Sequence, residues 1–170
     1  MKALLRTAVD AGSPLRVVAA VEEANAAQKR VLVDKIVARF GPTLSGLSFG
    51  IWGLAFKPDT DDMREAPSLV VIDELLQRGA TIRAYDPVAS LEAQRLLNGR
   101  PGITFAGRAM EAAEGADAAI IVTEWKEFRS PDLQRLKEVL KQPVVLDGRN
   151  ILDPTQVREA GLEYLGVGRP

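Results

Sequence analysis

The sequence predicts an α/β protein with a doubly wound parallel sheet, preceded by a long connecting helix. After residue 46, short apolar segments alternate with segments of helical periodicity, which is typical of parallel strands joined by right-handed crossovers. Glycine follows several helical segments, at the position where it commonly ends a helix. Before residue 41, apolar residues recur at three- and four-residue steps, as in one long helix.

The first 42 residues are predicted to be helical. Met1–Ala11 has one apolar side and ends at Gly12. Ser13–Pro14 has the order of an N-cap followed by proline at the first helical position, and the pattern then continues to Phe40. A helix of about 26 residues is roughly 39 Å long. We therefore predict a helical segment at 1–42, whose long helix acts as a connector or dimer spine, and a separate α/β domain at 43–170.

The α/β part is predicted to contain six strands. These are Leu47–Leu54, Thr81–Tyr85, Ile103–Phe105, Ala118–Thr123, Val144–Leu146 and Glu163–Leu165. The helices between them are Pro67–Arg78, Leu91–Asn98, Arg108–Glu114, Pro131–Lys141 and Pro154–Ala160. The fourth strand has the sequence AAIIVT, which indicates a central strand buried on both faces. The whole order is that of a Rossmann-like sheet.

The composition excludes several classes of function. The 170 residues include no cysteine and no histidine, so disulfides, thiol nucleophiles, imidazole bases and Cys/His zinc sites are excluded. The net charge is −1 without a basic stripe, which argues against binding to nucleic acid or to a membrane surface. No apolar run approaches the roughly 20 residues that span a bilayer, and the start lacks the features of a signal peptide. We expect a cytoplasmic protein.

Ligands of such sheets bind beyond the carboxyl ends of the strands, near the point where the strand order reverses. With the fourth strand beside the first and the fifth beyond it, the relevant loops are Leu54–Ala66, Thr123–Ser130 and Asp147–Asp153. The first loop contains no G-x-G-x-x-G fingerprint, although Gly50 and Gly53 precede it, and about a dozen residues separate the strand from the next helix. We therefore do not expect a dinucleotide to bind this sheet in the standard way.

Two cations are candidates for binding an anionic ligand in these loops. The ends of the first and fifth strands should lie roughly 10 Å apart, so Lys57 and Arg149 could close on one phosphate group. The alternative is that Arg149 only pairs with Asp147 or Asp153, and that the first loop is a solvated segment with internal salt bridges. The acidic residues of the first loop resemble a metal cluster only loosely, and no metal site is predicted.

Five segments carry a resemblance to a known family. They are Gly53–Ser68 (GLAFKPDTDDMREAPS), Arg83–Pro87 (RAYDP), Val122–Trp125 (VTEW), Asp147–Asn150 (DGRN) and Gly166–Arg169 (GVGR). The first closely resembles the loop that opens the C-terminal domain of UDP-glucose dehydrogenases, in the UDP-glucose/GDP-mannose dehydrogenase superfamily. Upstream, Ala20–Asn25 and Gln28 resemble the long central helix of that family. The resemblance covers essentially the whole chain.

The resemblance implies a function and its residues. The family oxidises the C6 alcohol of UDP-glucose to a carboxylate in two NAD-dependent hydride transfers through a cysteine adduct. In the family that cysteine and the NAD domain lie upstream of the matched segments, so we expect this chain to bind the nucleotide sugar without catalysing. By resemblance Lys57 and Arg149 hold the nucleotide sugar, Phe56 lines its pocket, and Arg64 reaches NAD across a domain cleft.

Other interpretations stay open at this point. The sugar could be an N-acetylated hexosamine on UDP, or the ligand could be GDP-mannose. The chain could also be mainly a structural module that forms a homodimer through the long helix, where Asn25 and Gln28 would fix the pairing. Asp86 ends the second strand, where dinucleotide folds place a ribose-binding acid, but Asp-Pro is also a turn signal. Trp52 and Trp125 are interpreted as packing residues.

Overall fold

The computed structural model describes residues 2–169. The chain divides between Val31 and Leu32 into two compact units. The first unit contains α1 (Lys2–Asp10) and the larger part of α2 (Arg16–Phe40). The remaining turns of α2 belong to the second unit, where Leu32, Val33 and Ile36 are buried in the core.

Helix α2 begins at Arg16, two residues later than predicted, because Ser13 belongs to the end of α1. The backbone N–H of Ser13 donates to the carbonyl of Ala8 at 2.9 Å, and that of Gly12 donates to Val9 at 3.0 Å. Gly12 has a φ of 68°, and this combination is the glycine-terminated Schellman end of a helix. Ser13 is therefore a residue of the preceding turn and not the N-cap of the long helix.

The second unit is built around six parallel strands, as predicted. They are β1 (Ser48–Trp52), β2 (Thr81–Tyr85), β3 (Ile103–Phe105), β4 (Ala118–Ile121), β5 (Val144–Asp147) and β6 (Glu163–Gly166). Their order is β3-β2-β1-β4-β5-β6, so β4 lies beside β1 and β5 beyond it. The sheet reverses its order between β1 and β4, which is where ligands of doubly wound sheets bind.

Five helices and one short 3-10 helix connect the strands. The helices are α3 (Pro67–Gln77), α4 (Ser90–Leu96), α5 (Ala109–Ala113), α6 (Leu133–Val139) and α7 (Pro154–Glu159), and the 3-10 helix is Lys126–Arg129. Every predicted helix is present, but most are a few residues shorter at one or both ends. Helix α6, for example, begins after Asp132, whose side chain accepts a hydrogen bond from the backbone N–H of Arg135. No helix among residues 2–169 is both long and apolar enough to cross a bilayer.

The first strand is shorter than predicted because the chain turns at Gly53. Gly53 has a φ of 92°, and a Cβ placed there would lie 2.5 Å from the Cβ of Thr123. Only glycine combines that backbone conformation with so close an approach. The segment from Leu54 onward therefore leaves the sheet and starts the long loop that leads to α3.

The start of α3 lacks a side-chain cap, which gives a stability prediction. Ala66 is the N-cap residue with φ −61° and ψ 136°, and it makes no side-chain capping hydrogen bond. Ala66→Ser should place a hydroxyl acceptor there and raise the free energy of unfolding by about 0.5–2 kcal/mol in denaturant titrations. Ala66→Cys is the matched control, because a thiol of similar size accepts hydrogen bonds only weakly. Equal effects of the two substitutions would show that packing, and not capping, determines the change.

Candidate functional site

The carboxyl ends of the central strands form one row that carries all the predicted ligand loops. Trp52 at the end of β1 is in register with Tyr85 of β2 and Ile121 of β4, and Ile121 is in register with Asp147 of β5. The loops that follow these residues therefore start at the same level of the sheet. The predicted assembly of residues 54–66, 123–130 and 147–153 at one edge is confirmed.

A buried carboxylate holds two of these loops and the start of α4. Asp86 follows β2 and is only 1% exposed. Its oxygens accept hydrogen bonds from the backbone N–H groups of Leu54, Ala55, Val88 and Ala89 and from the indole of Trp125, at distances of 2.7–3.1 Å. Asp86 is thus committed to the protein and is not available as a ribose acceptor. Trp52 and Trp125 are also buried, as expected of packing residues.

The first loop presents Phe56 and Lys57 to solvent. The backbone N–H of Phe56 donates to the carbonyl of Asp62 at 2.8 Å, and the hydroxyl of Thr123 donates to the carbonyl of Ala55 at 2.6 Å. These bonds hold the loop closed on itself and attach it to the end of β4. The Phe56 side chain is exposed, and Lys57 is exposed without an ion-pair partner among the described residues.

Arg64 is highly exposed, with 89% of its side chain accessible. Its Nε and Nη2 donate to the two oxygens of Asp62 at 2.9 and 2.8 Å, and its backbone N–H donates to Oδ1 at 2.9 Å. These hydrogen bonds, first that of the side chain, lower the pKa of Asp62 to about 2, and the charge of Lys57 adds to the effect. The predicted internal salt bridge of the loop is therefore present at Arg64.

Arg149 connects three of the strand ends. Its Nε donates to the carbonyl of Val122 at 2.8 Å and its Nη2 donates to the carbonyl of Phe56 at 3.2 Å. The alternative prediction is that Arg149 only pairs with Asp147 or Asp153. It is wrong, because the guanidinium pairs with Glu124, whose Oε2 lies 2.9 Å from Nε. The reason is geometric: Asp147 Oδ1 accepts from the backbone N–H of Arg149 instead.

A pocket of about 370 Å³ lies on the β4 and β5 side of this edge. It is lined by Glu124, Arg129, Arg149, Asn150 and Ile151. The lining is almost entirely polar and contains two arginines, so it suits an anionic ligand. Of the four predicted site residues, Arg149 lines this pocket, whereas Phe56, Lys57 and Arg64 lie on the loop after β1.

A second buried carboxylate supports the loop that carries Arg149. Asp147 is fully buried and accepts from the backbone N–H of Leu152 at 2.9 Å and from the hydroxyl of Tyr164 at 3.2 Å, in addition to Arg149. Burial, and then the charge and hydrogen bond of Asp147, raise the pKa of Tyr164 to about 12. The phenol therefore remains a donor at neutral pH, and the loop after β5 has a permanent anchor.

Asn150 fastens the same loop to the segment after β6. Its side-chain N–H donates to the carbonyl of Val167 at 2.8 Å, and its Oδ1 accepts from the backbone N–H of Val167 at 3.1 Å. Asn150 also has a φ of 54°, a left-handed conformation that asparagine tolerates better than most residues. It therefore determines the direction of the chain immediately after Arg149.

The sequence interpretation did not identify Glu124, Arg129 or Asn150 as site residues. Two signals for them were present in the sequence. Glu124 is a charged residue directly after the predicted strand Ala118–Thr123, and Asn150 follows Arg149 in a loop that was already placed at the ligand edge. Among the described residues, no group of acidic side chains is arranged to hold a metal ion.

Comparisons with known proteins show which family this sequence resembles. Residues 50–154 match the family model described as UDP-glucose/GDP-mannose dehydrogenase family, UDP binding domain. The UDP-glucose 6-dehydrogenase of Pseudomonas aeruginosa is 41% identical over 175 residues, which covers 100% of this chain and 38% of that protein. The UDP-glucose 6-dehydrogenase of Rhizobium meliloti is 39% identical over 168 residues, which covers 99% of this chain and 38% of that protein.

A solved structure extends the similarity to the fold. The UDP-glucose dehydrogenase from the hyperthermophilic archaeon Pyrobaculum islandicum superposes with a TM-score of 0.81 at 31% identity. The match covers 99% of this chain and 36% of that chain. This chain therefore spans somewhat more than a third of the length of the relatives that it matches.

The two roles of Asn150 can be separated by substitution. Asn150→Gly keeps access to the left-handed conformation and removes the bonds to Val167, whereas Asn150→Ala removes the bonds and also strains the backbone. We expect both variants to lower the free energy of unfolding, and alanine to be worse by about 1 kcal/mol, because the left-handed conformation disfavours a Cβ. Urea titrations measure the difference. Alanine and glycine variants of equal stability would contradict the role of the backbone conformation.

Proposed function

Because this chain belongs to the UDP-glucose/GDP-mannose dehydrogenase family, with its residues 50–154 matching the UDP binding domain, we propose that it is the substrate-binding part of an NAD-dependent UDP-glucose 6-dehydrogenase. In that role it would hold UDP-glucose while the C6 alcohol is oxidised to give UDP-glucuronate. The observation that carries the proposal is the position of Arg149, which reaches from the β5 loop to the carbonyl of Phe56, next to Lys57.

The diphosphate is the part of the ligand that these cations fit. Nε and Nη2 of Arg149 each donate one hydrogen bond, to the carbonyls of Val122 and Phe56. A guanidinium has five N–H groups, so others remain to bind a phosphate. Lys57 adds a compact positive charge without an ion pair to any described residue. Charge-assisted hydrogen bonds of this kind are about twice as strong as neutral ones. Phe56 is half-exposed beside them, and we assign it to the wall of the substrate pocket.

Arg64 is the residue that we assign to NAD. The sheet of this chain does not fit the cofactor itself, because residues 53–66 form a long loop in place of a tight glycine-rich turn. Arg64 stands out from that loop, and Asp62 holds one edge of its guanidinium. NAD would supply the hydride acceptor. The contribution of this chain would be one charge contact to the cofactor across the cleft between domains.

The chemical step requires residues that this chain does not contain. A thiol nucleophile is the group that holds the intermediate in this family, and the 170 residues include no cysteine. We therefore assign no catalytic residue here. We propose that this chain binds and orients the nucleotide sugar and neutralises the charge of its diphosphate. UDP-N-acetylhexosamines and GDP-mannose remain alternative ligands, since no described residue has been assigned to the sugar ring.

We also propose that the chain forms a homodimer through α2. Val17 is 78% exposed and Val21, one turn later on the same helix, is 44% exposed. Exposed apolar side chains in a row are typical of an interface with another chain. In this arrangement residues 1–42 would serve assembly and residues 43–170 would bind the nucleotide sugar. A cytoplasmic location is part of the same proposal.

Ligand-induced stabilisation tests the nucleotide-sugar assignment. UDP-glucose at about ten times its Kd should add about 1.4 kcal/mol to the free energy of unfolding. That corresponds to a rise in Tm of about 3–5 °C for a chain of this size. Lys57→Ala and Arg149→Ala should remove most of the shift seen by scanning calorimetry. Arg95→Ala, which removes an exposed cation from α4, is the control and should keep it.

Three outcomes would go against this assignment. An unchanged shift in both site variants would refute the role of these cations. A larger shift with GDP-mannose than with UDP-glucose would favour the GDP-mannose alternative. No shift with any nucleotide sugar would reject nucleotide-sugar binding by this chain.

Light scattering coupled to size exclusion tests the dimer. We expect the wild-type chain to be dimeric at tens of micromolar, and the double variant Val17→Glu, Val21→Glu to be monomeric, because charges would be buried at the interface. Val88→Glu is the control, since it introduces a charge at an exposed valine of the second unit. A wild-type monomer at this concentration would refute the proposal.

A further inference from the structure

Glu124 lines the pocket beside Arg149, and one of its carboxylate oxygens has no hydrogen-bond partner among the described residues. Its Oε2 is buried and accepts no hydrogen bond from any described residue. The same oxygen lies 2.9 Å from Arg149 Nε, but Nε carries a single hydrogen, which is donated to the carbonyl of Val122 at 2.8 Å. The contact between Glu124 and Arg149 is therefore an attraction of charges without a hydrogen bond.

Such an oxygen indicates that a donor belongs at this place. Buried polar atoms of folded proteins nearly always have a hydrogen-bonding partner, and a carboxylate oxygen without one is costly. The other polar side chains of the pocket do not supply it: Asn150 uses its amide for Val167, and Arg129 forms no ion pair with a described residue. The Glu124 side chain as a whole is 32% exposed and lines the pocket, so a ligand there can supply the donor once the carboxylate turns toward it.

The position of Glu124 limits what that donor can be. Because Oε2 and Nε are neighbours, the ligand must present a hydrogen-bond donor close to the anionic group that Arg149 holds. A ribose hydroxyl of a nucleoside diphosphate meets this requirement, since the ribose is attached directly to the α-phosphate. Doubly wound sheets ordinarily use an acid at the end of the second strand for such hydroxyls. Here that acid is Asp86, and both of its oxygens are committed to the protein.

We propose that Glu124 accepts a hydrogen bond from a ribose hydroxyl of the nucleotide whose diphosphate is held by Arg149. The assignment rests on the proposed function and adds a specificity to it: the pocket distinguishes ribonucleotides from deoxyribonucleotides. The Nε edge of Arg149 faces Val122 and Glu124, so the remaining N–H groups of the guanidinium are the ones that would meet the phosphate.

Calorimetric titration with UDP, 2′-deoxy-UDP and 3′-deoxy-UDP tests the proposal on the full chain. We expect the wild-type chain to bind UDP about tenfold more tightly than at least one deoxy analogue, because a hydrogen bond to a charged acceptor is lost. Glu124→Ala should bring that ratio close to one. Glu124→Gln retains a neutral acceptor oxygen and should give an intermediate ratio.

Two controls separate ribose recognition from an effect on Arg149 or on charge. Inorganic pyrophosphate has no ribose, so its affinity should not fall in Glu124→Ala or Glu124→Gln. Glu159→Gln removes one negative charge from α7, outside the pocket lining, and should leave the ratio of UDP to deoxy-UDP unchanged.

Each contrary outcome has a distinct meaning. Equal affinity of the wild-type chain for UDP and both deoxy analogues would overturn the inference while nucleotide binding stands. Equal losses of UDP and pyrophosphate affinity in the Glu124 variants would also overturn it, because Glu124 would then only orient Arg149. If the wild-type chain binds neither UDP nor UDP-glucose, the proposed function is rejected and this inference with it.

Discussion

The buried carboxylate of Asp86 is the constraint on which the ligand edge of this sheet depends. It accepts hydrogen bonds from the start of the first loop, from the turn before α4 and from the indole of Trp125. A carboxylate removed from water is tolerated only when such donors surround it. The loop after β1 leaves the sheet at Gly53, and the bonds from Leu54 and Ala55 to Asp86, with that from Thr123 to Ala55, fix its starting point. Asp86 therefore determines where the exposed segment with Phe56 and Lys57 begins.

Asp147 has the same function on the other side of the edge. It anchors the loop after β5 through backbone N–H groups and Tyr164, while Asn150 ties that loop to the segment after β6. The carboxylates of Asp86 and Asp147, at the ends of β2 and β5, are thus both occupied by hydrogen bonds from the protein itself. The charged groups that line the pocket are Arg149 on the loop after β5, and Glu124 and Arg129 on the segment after β4. This division explains how buried carboxylates can pre-organise a site made mostly of loops.

The match to the UDP binding domain and the arrangement of these charges support each other. A nucleotide sugar presents a diphosphate between two rings that carry hydroxyl groups, and the edge presents cations beside an unsatisfied carboxylate oxygen. The chain spans somewhat more than a third of its relatives, and in the function proposed above its residues recognise the nucleotide. Recognition and chemistry are commonly divided between domains that close on each other.

The sequence by itself determined the element order, the parallel sheet and the edge where ligands bind, because hydrophobic period and helix-ending glycines are local signals. It also identified Lys57 and Arg149 at that edge. It did not determine the start of α2, since Ser13 could belong to either of two neighbouring helix ends. Only the tertiary structure decided that Arg149 contacts Glu124 and the Phe56 carbonyl, and that Asp86 has no free oxygen. These contacts join different loops, and hydrogen-bond geometry between loops distant in sequence is set by the packed sheet beneath them.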